Sequence, residues 1–317
     1  MTTTHLVVGS GPVGTAIAHE LVTSGHEVVL ASRSGKGHDI SGVRRVAVDA
    51  ADGPAISALA TGADVIYNAV NPPKYHTWPT VWPPIAAALL SAAERSGAVL
   101  ATVANLYVYG RVSTPMSEQT PLNPADIKGE VRKRMWLDAL ASHQAGRARV
   151  VEVRGSDYLG AGAQSHLSRA ADALVMGKRA QLIGNPDLPH SWTYVGDVAK
   201  LLVAAAADEQ AHGRAWHVPS NPPVTQREAL REMAQLSGLP MVGVTPTSTP
   251  MLRLLGLFIP EMRAVADSSY QFKAPFVIDD SAARARFGLE PSSWTVALTE
   301  TVAHARATAA AATAAAR

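Results

Sequence analysis

The sequence predicts an α/β protein built on a parallel sheet with helices on both faces. The first half of the chain alternates strand-like with helix-like segments, and the strand-like segments are almost continuously apolar. Continuous apolarity is what a strand buried on both faces requires, whereas a strand with one solvated face alternates apolar and polar residues. Repeated strand–helix alternation places parallel strands side by side with the helices covering them.

Six segments are predicted as strands of this sheet because they are short, apolar and mostly β-branched. In chain order they are "HLVVG" (5–9), "EVVLAS" (27–32), "RRVAVD" (44–49), "DVIYNAV" (64–70), "AVLATVAN" (98–105) and "RVVEVRG" (149–155). The segments between them have helical periodicity, and several end in Gly, a helix-stop signal. These helices are "PVGTAIAHELVTSG" (12–25), "GPAISALATG" (53–62), "WPPIAAALLSAAERSG" (82–97) and "IKGEVRKRMWLDALASH" (127–143).

The second half of the chain changes character, with helix-like segments, short strands at "AQLI" and "RAWHVP", and prolines clustered from 219 to 250. We therefore expect a dinucleotide-binding domain over 1–160, to which 190–220 returns. Residues 161–189 and 221–317 are expected to form a smaller, substrate-binding C-terminal lobe. The tail "ARATAAAATAAAR" lacks large apolar residues and is expected to fray.

Composition indicates a globular protein and excludes several kinds of site. Of the 317 residues, 47% are hydrophobic, which is too many for a disordered chain. The absence of cysteine excludes disulfides, thiolate catalysis and cysteine-based metal sites. A net charge of +2 predicts no nucleic-acid partner. The 11 histidines form no closely spaced pair of the HxxxH type, so we expect no metal.

The same sequence predicts a cytoplasmic protein. The first strand begins at residue 5, which leaves no room for a leader peptide. The longest apolar run, "LLVAAAA" at 201–207, is too short to span a bilayer. We expect a small-molecule substrate, no membrane partner, and a monomer or homodimer.

A glycine-rich turn after the first strand predicts a dinucleotide site. In "VVGSGPVGTAIAHEL" the residues Gly9, Gly11 and Gly14 have G-x-G-x-x-G spacing between a strand and a helix. In such a turn the first glycine makes the tight bend, the second admits a pyrophosphate to the backbone, and the third allows helix and strand to pack closely. The positive end of the helix then faces the phosphates.

The residues after the second strand favour NADP(H) over NAD. A site for NAD usually places an acidic residue here, against the ribose 2′-hydroxyl. This sequence has "SRS" at 32–34 instead, and an arginine with two hydroxyls suits a 2′-phosphate, although the stretch also fits an ordinary basic loop. The residues predicted to bind the cofactor are Gly9, Gly11, Pro12, Val13, Gly14, Ser32, Arg33, Ser34, Asp49, Ala69, Val70 and Asn71.

Several further motifs resemble the extended short-chain dehydrogenase/reductases of the NAD-dependent epimerase/dehydratase type. They are "ANLYVYG" (104–110), "MSEQTPLNP" (116–124), "VRGSDYLGAG" (153–162) and "HSWTYVGDVAKLLVAA" (190–205). The resemblance covers most of the chain. It implies a Rossmann-type, doubly wound parallel sheet with a smaller C-terminal substrate lobe, and chemistry that depends on a nicotinamide cofactor.

The resemblance fails at the residues that carry the family's acid–base chemistry, a serine or threonine with a Tyr-x-x-x-Lys pair. The matching positions hold Asn105, Lys128 and Arg132, so the chain resembles an atypical member. Residues 128 and 132 share a helix face. A lysine beside a second cation could act as an acid or base, or polarise a carbonyl, while Arg132 would lie near the ribose. Alternatively, "KGEVRKR" is a solvated basic helix face. We name Lys128, Asn105, Tyr107 and Arg132 as candidate catalytic residues.

Aromatic residues supply the candidate substrate contacts. The proline-rich stretch "NPPKYHTWPTVWPP" (71–84) is expected to be a loop at the carboxyl edge of the sheet, where ligands bind in such folds. It suits a flat, aromatic or polycyclic substrate, or else fills the gap between the lobes. The candidate substrate-binding residues are Tyr75, His76, Trp78, Tyr158 and Trp192.

These observations together predict an NADP(H)-dependent oxidoreductase that acts on a carbonyl or activated alkene of a small organic molecule. Two alternatives stay open because the tyrosine is missing. One is a non-redox isomerase, cyclase or lyase on the same scaffold. The other is an NADP(H)-binding regulatory protein without catalysis.

Overall fold

A computed structural model describes residues 3–37 and 39–315 of the chain. Its strands are β1 (Thr4–Val8), β2 (Glu27–Ser32), β3 (Val43–Ala47), β4 (Val65–Asn68), β5 (Val99–Asn105), β6 (Arg149–Gly155), β7 (Asp157–Leu159), β8 (Ala180–Ile183), β9 (Trp192–Tyr194), β10 (Arg214–His217) and β11 (Val244–Thr247). Its helices are α1 (Pro12–Thr23), α2 (Gly53–Ala60), α3 (Trp78–Ser96), α4 (Ile127–Gln144), α5 (His166–Val175), α6 (Val195–Ala207), α7 (Gln226–Ser237), α8 (Thr249–Leu255), α9 (Pro260–Ser268), α10 (Ser281–Phe287) and α11 (Trp294–Ala315).

Seven strands form one parallel sheet in the order β10-β6-β5-β4-β1-β2-β3. The chain starts in the middle, at β1, and winds outward in both directions, so the strand order reverses between β1 and β4. This doubly wound topology confirms the predicted fold class. β11 pairs with β8, and β7 with β9, as two small parallel sheets outside the main one.

The central strands of the main sheet are buried on both faces, which accounts for their continuous apolarity, whereas the edge strand β3 exposes Arg44 and Arg45. Along β1, Val7 packs with α1 and α6 on one face, while Leu6 and Val8 pack with α2, α3 and α4 on the other. Leu6, Val7 and Val8 are each no more than 1% exposed. A strand in this setting has no solvated position to fill with a polar residue.

A third apolar cluster lies beyond the carboxyl edge of the sheet. It combines side chains of α5, α7, α9 and α11 with those of β8. The chain enters this region after β7, leaves it to place α6 and β10 on the main sheet, and then returns. Within the described residues, no helix is both long and apolar enough to cross a membrane.

Two sequence expectations about helices are wrong. The stretch 71–84 is not a loop throughout, because α3 begins at Trp78 and contains Pro83 and Pro84 in its first two turns. Pro79 lies in the first turn, where backbone N–H groups lack intrahelical partners, whereas Pro83 and Pro84 lie inside the helix and each leave one i→i−4 hydrogen bond unmade. The alanine-rich tail does not fray over its described part, since α11 continues to Ala315. Alanine has the highest helix propensity, so this segment needs no apolar face to be helical.

The glycine turn provides a test of the packing between β1 and α1. A Cβ on Gly14 would lie 1.8 Å from the carbonyl oxygen of Gly9, whereas a Cβ on Gly11 would meet no atom within 4 Å. We expect Gly14→Ala to lower the free energy of unfolding by about 2 kcal/mol or more, because the strand and helix must separate. Gly11→Ala is the matched control, with an expected loss below about 1 kcal/mol. Urea unfolding of the two variants measures the difference, and equal stabilities would contradict this account.

Candidate functional site

A cavity of about 1280 Å³ opens along the carboxyl edge of the main sheet. Its wall is formed by the residues that follow β1 to β6, together with residues 162–165, Val195 and Gln271 from the C-terminal half. The cavity includes the point between β1 and β4 where the strand order reverses. In open α/β sheets, ligands bind at this switch point.

The glycine turn forms one end of the cavity. Gly9 has φ +111°, and a Cβ on it would lie 2.5 Å from the carbonyl oxygen of Ala69, so a side chain there would push β1 and β4 apart. Gly11 is the N-cap of α1 and has open space where its Cβ would be. Gly14 lies beneath the turn and is not part of the cavity wall. The turn thus exposes backbone and the positive end of α1 to whatever occupies the cavity.

The loop after β2 presents a cation to the same end. Arg33 lies on the cavity wall, is exposed, and has no hydrogen bond or ion pair with another described residue. The hydroxyls of the serines on either side of Arg33 are hydrogen-bonded within the loop. Ser32 Oγ donates to the carbonyl of Lys36, and Ser34 Oγ accepts from the Lys36 backbone N–H. At the end of β3, Asp49 also reaches the wall, where one of its oxygens accepts from the backbone N–H of Ala51.

Eleven of the twelve predicted cofactor residues therefore line one cavity. They are Gly9, Gly11, Pro12, Val13, Ser32, Arg33, Ser34, Asp49, Ala69, Val70 and Asn71. Gly14, the twelfth, supports the turn from below.

Two tyrosine hydroxyls meet on the wall further along. Tyr107, just after β5, places its hydroxyl oxygen 3.3 Å from that of Tyr75. Burial raises the pKa of both phenols, so each stays protonated at neutral pH. Asn105 lies beside them on the wall and uses its amide oxygen to accept from the Tyr107 backbone N–H, which leaves its NH₂ group without a described partner. This part of the cavity is a cluster of hydrogen-bond donors.

Lys128 lies behind the tyrosines and outside the cavity wall. Its ammonium is 4.8 Å from the ring centre of Tyr75 and 5.5 Å from that of Tyr107. It donates to the carbonyl of Ala264 and to Ser268 Oγ on α9, and it pairs with Asp126 at 3.4 Å. With its side chain 1% exposed, burial lowers the pKa of Lys128, against the opposing effect of Asp126. Direct contact with a reacting oxygen stays a prediction.

Arg132, one turn further along α4, reaches the cavity wall from below. Its guanidinium lies 4.2 Å from the ring of Trp82 and 5.1 Å from that of Trp78, and it donates to the carbonyl of Val103. Both indoles are fully buried, so the guanidinium is held in place by cation–π contacts. Because Lys128 and Arg132 are 1% and 4% exposed, this side of α4 is not a solvated basic face.

The predicted substrate contacts fall into two groups. Tyr75, Trp78 and Tyr158 line the cavity, although the hydroxyl of Tyr158 is occupied by the carbonyl of Ala104 at 2.5 Å. His76 and Trp192 are not on the wall. His76 pairs instead with Glu261 of α9 at 3.0 Å, and the Trp192 indole donates to the carbonyl of Val224.

Sequence reasoning missed Asp157, an acidic side chain that lines the cavity. It follows β6 by two residues and accepts a hydrogen bond from the buried His190, with 2.9 Å between Oδ2 and Nε2. The sequence signal was available, because an acidic residue just after a parallel strand lies at the ligand-binding edge. Neutral polar residues accompany it on the wall. They are Ser156, Gln164, Ser165 and Gln271. Within the described part of the chain, no group of three His, Asp or Glu side chains is arranged to hold a metal ion.

Comparison with known proteins gives a family and a set of structural neighbours. Residues 5–218 match the model of the NAD dependent epimerase/dehydratase family. A search of curated proteins found no match.

Three solved structures with the same fold each share less than a fifth of their sequence with this chain. A dTDP-glucose 4,6-dehydratase from Bacillus anthracis, in complex with NAD, superposes with a TM-score of 0.79 at 17% identity, covering 96% of both chains. A UDP-glucose 4-epimerase from Thermus thermophilus, also with NAD, has a TM-score of 0.77 at 18% identity, covering 96% of this chain and 99% of the other. An epimerase from Methanothermobacter thermautotrophicus has a TM-score of 0.81 at 16% identity, over 96% and 92% of the two chains.

His166, the first residue of α5, gives the stability of the fold a pH dependence. Burial lowers its pKa to about 4, despite the opposing charge of Asp157, and its Nδ1 lies 2.9 Å from the Arg169 guanidinium as an acceptor. Because the pKa in the unfolded chain is higher, near 6.5, the neutral ring stabilises the fold above pH 6.5. That stability is lost as the pH falls towards 4.

We therefore expect the wild type to lose more stability between pH 7.5 and pH 5 than a His166→Gln variant, by about 1–2 kcal/mol. Urea unfolding at both pH values measures this, and His5, whose pKa burial also lowers to about 4, contributes equally to both proteins. Identical losses in the two proteins would show that His166 titrates normally.

Proposed function

The chain belongs to the NAD-dependent epimerase/dehydratase family, and on this premise we propose that it is an NADP(H)-dependent oxidoreductase acting on a carbonyl group of a small organic molecule. One observation carries the proposal: a single cavity of about 1280 Å³ joins the glycine turn to the tyrosine pair. Pockets for one ligand usually measure about 300–1,000 Å³. The cavity is large enough for a dinucleotide and a second molecule beside it.

The residues present fit a nicotinamide dinucleotide. Gly11 leaves open space where a side chain would project, and the free backbone at the start of α1 faces that space. This arrangement suits a pyrophosphate, which needs close approach to backbone N–H groups at a helix N-terminus. Arg132 would lie beneath the nicotinamide ribose, a role implied by the family resemblance.

The choice of NADP(H) rests on Arg33. Its guanidinium has no described partner, and residues 33–37, directly after β2, include no acidic side chain to accept from a ribose 2′-hydroxyl. A guanidinium can bind a phosphate through two parallel hydrogen bonds. The structural neighbours named above hold NAD, so the 2′-phosphate preference is a property that we propose for this chain.

The tyrosine pair supplies the proton chemistry in this proposal. NADPH, when bound, supplies a hydride to the carbonyl carbon. Tyr107 donates a hydrogen bond and then a proton to the carbonyl oxygen as negative charge develops there. Tyr75 hydrogen-bonds the hydroxyl of Tyr107. Asn105 offers an amide N–H to the carbonyl oxygen of the substrate. The raised pKa values keep both phenols protonated, which is the form needed for reduction. Lys128, behind the rings, adds a positive charge that favours the developing oxyanion.

A non-redox isomerase or lyase on the same scaffold is the second candidate. The observation that favours it is the lysine at position 128, where the resembled family has its tyrosine. Polarisation of a carbonyl by Tyr107 and Asn105 would serve enolisation as well as hydride transfer. A screen of ketones, quinones and enones with NADPH, followed by absorbance and by product analysis, separates the two. Consumption of NADPH supports the oxidoreductase, whereas product formation without it supports the isomerase.

The cofactor preference gives the first functional prediction. We expect NADPH to bind at least about tenfold more tightly than NADH, and Arg33→Ala to remove most of that difference. The reason is that losing a bidentate arginine–phosphate contact costs on the order of 1.5–3 kcal/mol. Fluorescence titration with both cofactors measures the two affinities. Equal affinities in the wild type would rule out the proposed preference.

The second prediction concerns the proton donor. Removing one preorganised donor to a developing oxyanion typically lowers turnover by about a hundredfold or more. We expect Tyr107→Phe to show such a loss with unchanged affinity for NADPH, measured on a substrate from the screen. If Tyr107→Phe turns over at the wild-type rate, the proton comes from another group.

Lys128→Met tests the buried charge behind the tyrosines. We expect reduced turnover with NADPH still bound, because the cation no longer favours the oxyanion. Arg134→Met is the matched control, since Arg134 lies on the same helix with its side chain 79% exposed. Turnover at the wild-type rate in Lys128→Met would make Lys128 a purely structural residue that holds α9 in place.

A further inference from the structure

The cavity holds a fixed carboxylate near the tyrosine pair, and we propose that Asp157, positioned by His190, selects the substrate. The substrate class that it selects is a neutral, hydroxylated carbonyl compound, in place of an anionic one such as a nucleotide-diphosphate sugar. This inference rests on the proposed function, because it concerns the molecule bound beside the cofactor.

One carboxylate oxygen of Asp157 accepts a hydrogen bond within the protein, and the other has no described donor. Its side chain is 16% exposed, and Oδ2 accepts from His190 Nε2 at 2.9 Å. No described residue donates to Oδ1. Because the residue lies on the cavity wall, the free oxygen is available to a ligand. A partly buried carboxylate oxygen without a donor is stabilised by a ligand that supplies an O–H group.

His190 holds this carboxylate in one orientation. The imidazole is 2% exposed and stacks on Phe272, with ring centres 4.7 Å apart and an interplanar angle of 14°. Trp192 packs on it at 4.5 Å, and Phe276 at 5.4 Å. With the ring fixed by three aromatic neighbours, the Nε2–H···Oδ2 bond fixes the direction of Oδ1. His190 therefore acts as a positioning residue.

Asp157 is ionised and its nearby cations are already engaged. Burial alone would raise the pKa of Asp157, but the His190 hydrogen bond and the charges of its neighbours outweigh it and lower the pKa. Of those neighbours, His166 is neutral at pH 7 and Arg169 is bonded to its Nδ1. Lys128 is paired with Asp126. The carboxylate thus keeps its negative charge towards the cavity.

The cavity-wall residues that follow Arg154 also disfavour an anionic ligand. Beyond Arg154, the described wall residues include one charged side chain, Asp157, among serines, glutamines and apolar groups. A phosphate or carboxylate bound on this side would meet a like charge in a partly desolvated place and no cation from these residues. A hydroxyl group would instead satisfy Oδ1.

Three aromatic ketones of similar size provide the test: 3-hydroxyacetophenone, acetophenone and 3-acetylbenzoate. Their dissociation constants are measured by calorimetry on the full chain saturated with NADP⁺. In the wild type we expect the hydroxylated ketone to bind about tenfold more tightly than acetophenone, the range for a hydrogen bond to a charged group. The carboxylated ketone should bind more weakly than acetophenone.

The variants separate a selective role from a structural one. Asp157→Asn should reduce the preference for the hydroxylated ketone and improve binding of 3-acetylbenzoate. His190→Leu should lose most of the preference, while His190→Gln, whose Nε2 can still donate to Asp157, should retain it. Asp138→Asn, a surface carboxylate on α4 with its side chain 51% exposed, is the control and should match the wild type. The ratio of dissociation constants, at unchanged NADPH affinity, is a readout that a general loss of structure would not move.

The proposal is overturned if 3-hydroxyacetophenone does not bind measurably, or if 3-acetylbenzoate binds as tightly as 3-hydroxyacetophenone. It is also overturned if Asp157→Asn leaves the ratio of the dissociation constants of acetophenone and 3-hydroxyacetophenone unchanged. These results are distinct from failure of the proposed function. A clear hydroxyl preference without any NADPH consumption would support the selectivity and remove the oxidoreductase. NADPH consumption with the carboxylated ketone favoured would support the oxidoreductase and remove the proposed selectivity.

Discussion

The buried ammonium of Lys128 is the interaction on which the arrangement of the site depends. A lysine with 1% of its surface exposed must find acceptors, and Lys128 finds them in Asp126 beside it and in Ala264 and Ser268 of α9. Those two residues are 136 and 140 positions away in the chain. An unpaired ammonium in this place would be strongly unfavourable, so α9 is held against α4. Glu261 of the same helix binds the backbone N–H of Tyr75, which places that phenol beside Tyr107.

Much of the fold follows from local sequence. The six predicted strands are present, because continuously apolar, β-branched runs between glycine-terminated helices fit a sheet covered on both faces. The glycine turn also lies where its spacing indicates, since Gly9 has a positive φ that other residues rarely adopt. The start of α3 was harder to predict from the sequence pattern. Prolines near Trp78 indicate a loop when the sequence is read alone, yet α3 accommodates Pro79 in its first turn and Pro83 and Pro84 in its interior, where Trp78 and Trp82 are buried against the sheet.

The candidate site was predictable at its cofactor end and much less so beyond it. The residues after β1, β2 and β3 reach one edge because the topology requires it, so a list drawn from the sequence falls on one cavity wall. The positions of Lys128 and His76 depend on α9, which lies far along the chain and has no motif linking it to them. The pairing of Asp157 with His190 likewise joins β7 to a residue 33 positions later. Such contacts are set by tertiary packing that periodicity does not encode.

The contact between Lys128 and α9 also has a consequence for exchanging parts between related enzymes. The family match ends at residue 218, while the acceptors of the Lys128 ammonium lie at 264 and 268, outside the matched region. A chimera that kept the first 218 residues and took its remaining segment from another family member would bring a different surface to a lysine already committed to burial. Grafts that also carry α9, or that replace Lys128 by an uncharged residue, avoid this mismatch. The practical crossover point is therefore decided by one side chain in the middle of the first segment, well before the boundary of the family match.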